Sequence, residues 1–192
     1  FDYYKSQADK GDESAMFKLA QLFEKGDGTK VDKKEAARYY KMAFDKGNKA
    51  ALNEYVRLLK QSNGEIDKKE AALYLKMKAD EGDEDAITEY ASLLQDGNGI
   101  EIDKKESARY FKMAADKGNT YAIISYSIML REGEGIEANK KEAARYLKIG
   151  IEKGNIFSMY LYANMLLNGD GIEVNKKEAA RYFKMAADKG HV

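Results

Sequence analysis

A seventeen-residue phrase written five times over constrains this chain more than any other feature. Asp32 opens DKKEAARYYKMAFDKGN, Asp67 opens DKKEAALYLKMKADEGD and Asp103 opens DKKESARYFKMAADKGN. Asn139 opens NKKEAARYLKIGIEKGN, and Asn175 opens NKKEAARYFKMAADKGH. Successive openings lie 35, 36, 36 and 36 residues apart, a period that signals stacked helix pairs. The short interval has a local origin: the connector GDGTKVD ending at Asp32 contracts to NGEID ending at Asp67. The expected layout is a single solenoid with full repeats at 12–47, 48–82, 83–118, 119–154 and 155–190. Residues 1–11 read as the end of a preceding repeat and 191–192 as the start of another, so a fragment of a longer array is expected.

Each repeat reads as two helices. Asp32, Asp67, Asp103, Asn139 and Asn175 are suited to N-cap positions, where a short oxygen-bearing side chain accepts from an open amide of the first turn. Glu35, Glu70, Glu106, Glu142 and Glu178 follow at the capping-box spacing and favour the positive helix end. Gly47, Gly82, Gly118, Gly154 and Gly190 stand where a helix ends in a left-handed residue. The next first helix then starts at once, from Asp12, Asn48, Asp83, Asn119 or Asn155, and closes on a glycine pair such as Gly26–Gly28 or Gly133–Gly135. The second repeat departs, with Ser62 and Gly64 in that place. There is no proline anywhere, which suits helices joined by glycine turns and points to an all-α protein.

Composition removes several classes of function. Lys plus Arg number 33 and Asp plus Glu number 33, so the basic excess of a nucleic-acid binder is missing. Without cysteine, disulfides, thiolate metal sites and thiol nucleophiles are excluded. His191 is the single histidine, which argues against histidine catalysis and histidine metal clusters. No apolar run approaches the length of a membrane span. The expectation is therefore no enzyme, no cofactor, no metal and no membrane or nucleic-acid partner. The lysine pairs that begin each second helix sit between a cap and a glutamate, a solvated mixed-charge surface. The Gly-x-Gly turns follow no strand and lack the longer phosphate-loop fingerprint. The acidic run from Asp80 to Asp85 lacks the twelve-residue calcium register and reads as capping. A missing leader pattern, the lack of cysteine and the lack of N-x-Ser/Thr acceptors favour a cytoplasmic location.

Packing should follow the helical period. Met16, Leu19, Ala20 and Phe23 form one stripe, as do Ile123, Tyr126, Ser127 and Leu130 in the fourth repeat. Ala36, Tyr40 and Ala43 form the stripe of a second helix. Together these residues carry a resemblance. The segment AMFKLAQLFEKGDGTKVDKKEAARYYKMAFDKGN resembles the Sel-one-like repeat, a relative of the tetratricopeptide repeat. The resemblance rests on Ala15, Leu19, Leu22, Phe23, Gly26, Gly28, Asp32, Ala36, Tyr39, Tyr40, Ala43 and Gly47. It covers essentially the whole chain and implies a right-handed α/α superhelical solenoid of stacked antiparallel helix pairs. A non-catalytic scaffold or adaptor role is implied as well.

The positions that refuse to repeat are the ones free to carry function. On successive first helices they are Asn53 and Arg57, then Thr88 and Ser92, then Tyr121, Ile124, Ile128 and Arg131, then Phe157, Tyr160, Asn164 and Leu167. Their spacing puts each set on one helical face, away from the packing stripe. In tetratricopeptide-like arrays that face lines the concave groove along which solenoids bind. Here it passes from polar to apolar toward the last two repeats, where Leu161 adds to it. The expected function is capture of a peptide or helix of a partner protein, with Tyr121, Phe157 and Tyr160 as anchors and Asn164 and Arg131 fixing its orientation. The alternatives are self-association through the same patch, or a targeting arm of a larger multidomain enzyme.

Overall fold

A computed structural model describes residues 1–61 and 68–190. The expectations placed on Ser62, Gly64, Asp67 and His191 lie outside the described residues. Eleven helices are found among those described, and no strand: α1 (Asp2–Asp9), α2 (Glu13–Lys25), α3 (Lys33–Asp45), α4 (Lys49–Gln61), α5 (Lys68–Asp80), α6 (Glu84–Asp96), α7 (Lys104–Asp116), α8 (Thr120–Glu132), α9 (Lys140–Glu152), α10 (Ile156–Asn168) and α11 (Lys176–Asp188). The chain divides into two compact units. One comprises Phe1–Glu89 with Asn98–Ile100, the other Tyr90–Gly97 with Glu101–Val192.

Helix ends follow the punctuation of the sequence. The side chains of Asp12, Asp32, Asp103, Asn119, Asn139, Asn155 and Asn175 each accept from the amide three residues on. This satisfies one of the orphan donors of each first turn. The glutamates of the expected capping boxes mostly turn forward instead. Glu35, Glu106 and Glu142 pair with Arg38, Arg109 and Arg145 at 2.8, 2.6 and 2.5 Å. A charge-assisted guanidinium contact is stronger than a bond to a neutral amide, so the arginine wins the carboxylate.

Each unit builds its own core. In the N-terminal unit Leu19, Tyr40, Leu52, Leu58, Leu59 and Leu75 are sealed, with Ala36, Ala43 and Ala51 letting the helix axes approach. In the C-terminal unit the same work falls to Tyr110, Phe111, Ile123, Tyr146 and Leu93. Edge-to-face tyrosine pairs recur there: Tyr90 on Tyr110, Tyr126 on Tyr146 and Tyr162 on Tyr182, with centroids 5.0, 5.0 and 5.4 Å apart. The phenol of Tyr146 donates to Asp116 Oδ1 at 2.6 Å, and Tyr74 donates to Asp45 in the equivalent place. Each such bond ties one second helix to the one before it.

The second glycine of the Gly-x-Gly turn has a steric purpose. A Cβ on Gly135 would lie 2.3 Å from the carbonyl carbon of Lys104, and one on Gly171 would lie 2.2 Å from Lys140 Cβ. The turn thus sits on the first residue of the preceding second helix. The residue between the glycines then pairs with that lysine: Lys104 Nζ reaches Glu134 at 3.3 Å and Lys140 Nζ reaches Asp170 at 2.6 Å. In the N-terminal unit Lys68 Nζ donates to Asn98 Oδ1 at 3.0 Å. Lys68, Lys104 and Lys140, each the first of its lysine pair, therefore join successive repeats.

Candidate partner-binding face

The candidate face of the C-terminal unit is built on α8 and α10, whose caps Asn119 and Asn155 fix their first turns. Tyr121, Phe157, Tyr160 and Leu167 are 55, 45, 44 and 41% exposed. Ile124, Ile128, Arg131, Leu161 and Asn164 are half-buried beside them. The aromatic rings are braced rather than loose. Tyr121 meets Phe111 edge-on at 5.9 Å, while Tyr160 meets Phe183 at 5.7 Å and Phe157 at 6.3 Å. Such contacts fix ring orientation before any ligand arrives.

The face has a polar end. Arg131, Glu132, Tyr160, Leu161, Asn164, Met165, Asn168 and Asp170 line a recess of about 440 Å³. Arg131 Nη2 is 2.7 Å from Glu132, and its Nε is 4.0 Å from Asp170, which also holds Lys140. Asn164 Nδ2 donates to the Tyr160 carbonyl at 3.0 Å, leaving the amide oxygen for other use. Asp170 and Asn168 escaped the sequence reading because they lie at and beyond the helix end, off the irregular stripe. A second recess, of about 410 Å³, opens where Arg145, Lys148, Tyr162 and Ile172 meet. Of its cations, Arg145 pairs with Glu142 and Lys148 lies over the Tyr162 ring at 5.4 Å.

Ser92 does not stand open as the stripe suggested. It is only 8% exposed, and its hydroxyl lies 3.3 Å from that of Tyr121. Its hydroxyl is thus within hydrogen-bond reach of the tyrosine that stands exposed beside it.

In the N-terminal unit the same stripe is an ion network. Arg57 donates to Glu24 Oε1 at 2.5 Å and to Glu54 Oε2 at 2.8 Å, and the Tyr40 phenol donates to Glu24 Oε2 at 3.0 Å. Burial first, and the Glu24 charge second, drive the Tyr40 phenol far above its ordinary range. Hydrogen bonds donated to Glu24 and Glu54 hold the Arg57 guanidinium charged. Asn53 is exposed, and Thr88 bonds back to the Asp85 carbonyl at 3.0 Å. Glu54 sits one residue off the irregular stripe, so periodicity alone does not find it.

Among the described residues no group of three or more His, Cys, Asp or Glu could hold a metal ion. Nor is any described helix long and apolar enough to cross a membrane.

Helix pairs capped and stacked in this way, with one face released from packing, define an α-solenoid repeat protein. The chain belongs to the Sel1 repeat family, whose repeats match residues 13–48, 84–119, 120–155 and 156–191. The unmatched stretch between the first two matches holds the contracted connector, and there Leu73 stands exposed at the position of Arg38, Arg109 and Arg145. Among solved structures the chain is similar to a protective antigen of uropathogenic Escherichia coli with an SLR fold. That similarity has a TM-score of 0.80 at 22% identity, over 99% of this chain and 41% of that one. It is also similar to a Sel1 repeat protein of Oxalobacter formigenes, with a TM-score of 0.77 at 21% identity, over 95% of this chain and 76% of that one. An immunity protein of Pseudomonas aeruginosa aligns with a TM-score of 0.54 at 18% identity, over 97% and 72% of the two chains. No curated protein matches the sequence. At these identities the likeness concerns the fold, and the chain spans less than half the length of the E. coli antigen.

Proposed function

We infer that this chain is a non-catalytic protein-interaction module that holds a segment of a partner protein against the α8–α10 face. Sel1-repeat proteins are generally protein-interaction scaffolds. The observation that carries the reading here is the exposure of Tyr121, Phe157, Tyr160 and Leu167 on one face of two successive first helices. Burying one such side chain is worth about 1.5–3 kcal/mol, and aromatic groups of this kind dominate interface energetics. Nothing in the solenoid requires them: the positions equivalent to Tyr121 and Phe157 are Ser14, Ala50 and Asp85 in the other repeats, those equivalent to Tyr160 include Asn53 and Thr88, and those equivalent to Leu167 include Glu24 and Gln95. A setting in the cytoplasm suits a chain without cysteine.

The reading is tested by immobilising the chain and comparing the proteins it retains from a native extract with those kept by two variants. Tyr121→Ser with Tyr160→Ser should abolish retention. Asn53→Ser with Thr88→Ser should leave it unchanged. Retention of the same proteins by the tyrosine double variant defeats the assignment.

A further inference from the structure

We propose that the segment seated on the α8–α10 face is short, uncharged along its contact side, and ends an aliphatic run in a neutral amide or hydroxyl side chain. This rests on the interaction reading above and adds the chemistry of the occupant.

Charge is the first argument. Helix α10, IFSMYLYANMLLN, contains no ionisable carboxylate, ammonium or guanidinium group, and α8, TYAIISYSIMLRE, contains none before Arg131. An Asp, Glu, Lys or Arg of a partner laid along these helices would lose hydration and find no counter-charge. The charges at the far end are already spent, Arg131 on Glu132 and Asp170, and Asp170 on Lys140. The N-terminal unit is built the other way, with Glu24, Glu54 and Arg57 on α2 and α4.

The recess is the second argument. Arg131 and Asn168 bring donors, while Glu132, Asp170 and the Asn164 side-chain oxygen bring acceptors, around about 440 Å³; the two carboxylates are balanced by Arg131 and Lys140. A group that both donates and accepts without net charge fits such a mixed lining, as a Gln or Asn amide or a Ser or Thr hydroxyl does. The direction of the segment follows. Its aliphatic residues meet Tyr121, Phe157 and Tyr160 in the first turns, and its polar residue falls at the last turn beside Asn164.

Area decides against a second copy of the chain. Taking roughly 150–250 Å² for a fully exposed aromatic side chain, the four anchors offer about 300–400 Å². A stable pair of proteins needs about 800 Å² from each partner. The four anchors supply about half of that, the scale of a few turns of helix or a short extended strand.

The test is a displayed library of random sixteen-residue peptides, selected in parallel on the intact chain and on a Phe157→Ser, Tyr160→Ser double variant. Both targets are first checked by circular dichroism, and Tyr121→Ser serves as an independent variant should the double variant unfold. Peptides expected to emerge on the intact chain alone carry aliphatic and aromatic residues with Gln, Asn, Ser or Thr at one end. Synthesised, they should lose at least tenfold in affinity on the variant, and should change less than twofold between low and high salt. Replacing the terminal amide by glutamate or lysine should cost tenfold or more. Enrichment of acidic or basic peptides that still need Phe157 and Tyr160 overturns the proposed chemistry and leaves the interaction reading standing. Peptides that bind chain and variant alike, or no enrichment at all, overturn both. A dimer in sedimentation that the double variant dissolves shows that a second copy covers the face, and the proposal falls.

Discussion

The two units spend the same stripe of the first helix in opposite ways. In the N-terminal unit Glu24, Glu54, Arg57 and the Tyr40 phenol close on one another, so the charges satisfy themselves. In the C-terminal unit Tyr121, Phe157, Tyr160 and Leu167 stand in solvent. The second helices do not differ in this way: Tyr74 on Asp45 and Tyr146 on Asp116 make the same bond in both units. The contrast separates what the repeat needs in order to stack from what it leaves open. Stacking is carried by the recurring phrase, while the first-helix stripe is free to be either an internal clasp or an external surface.

The sharpest way to break this division is through the glycines that should be equally indispensable in both units. A Cβ on Gly99 would meet Lys68 Cβ at 2.3 Å, as one on Gly135 would meet the Lys104 backbone. Both glycines have positive φ, +89 and +72°. Gly99→Ala and Gly135→Ala should each cost about 3 kcal/mol in urea unfolding, from overpacking and the left-handed backbone together. Gly47→Ala has positive φ but open space around it, and should cost about 1 kcal/mol. Equal costs at Gly47 and Gly135 would remove the steric role of the turn.

The tyrosine–aspartate ladder predicts a pH signature of the scaffold. Burial, then the bond to Asp116, pushes the Tyr146 phenol up to about 12 from its ordinary 10.0. In the unfolded chain the proton leaves near the ordinary value, so the contribution is complete below pH 10 and is lost as pH rises toward 12. It amounts to at most about 2–3 kcal/mol. Burial alone would raise Asp116, yet bonds from Lys112 and Tyr146 outweigh it and hold the carboxyl below its usual value. That share is present above pH 4 and fades as acid is added. A tyrosinate absorbance titration should show a late class, which Asp116→Asn shifts. An unchanged titration in that variant removes the ladder from the account.

Glu24→Ala probes the clasp itself. It leaves the Tyr40 phenol without its acceptor and Arg57 with Glu54 as its remaining acid. The expected loss is about 1–2 kcal/mol, discounted for the partial exposure of Arg57. Retention of a partner by the C-terminal face should be unaffected. A loss of partner capture in this variant would mean that the two stripes act together.

Much of this was legible in the letters. Periodicity, caps and terminal glycines located the helices, because each depends on residues within one turn of the boundary. The irregular stripe located the exposed rings for the same reason. Ser92 and the recess were not legible. Ser92 is buried, and the Tyr121 hydroxyl it meets lies 29 residues away. Asp170 enters the recess because Gly171 lets the turn settle on Lys140. Both are facts about neighbouring repeats, which a periodic reading of a single helix does not contain.

The smallest effect concerns a place where the scaffold itself is imperfect. Ser158 is fully buried, and its hydroxyl has no hydrogen-bond partner. It faces Gly150, where a Cβ would lie 2.1 Å from Ser158 Oγ. In the preceding repeat the equivalent pair is Ala114 and Ala122, both buried. The serine thus carries a desolvated hydroxyl, and the glycine opposite gives up helix propensity to make room for it. Ser158→Ala removes the hydroxyl and keeps the Cβ, so it should stabilise the chain by about 1 kcal/mol. It should do so without touching the exposed rings of the same helix, leaving partner affinity unchanged. If urea unfolding shows a loss of stability instead, the hydroxyl has a partner in solution. If affinity moves, the buried and exposed sides of α10 are coupled, and the separation of scaffold from surface drawn above does not hold for this helix.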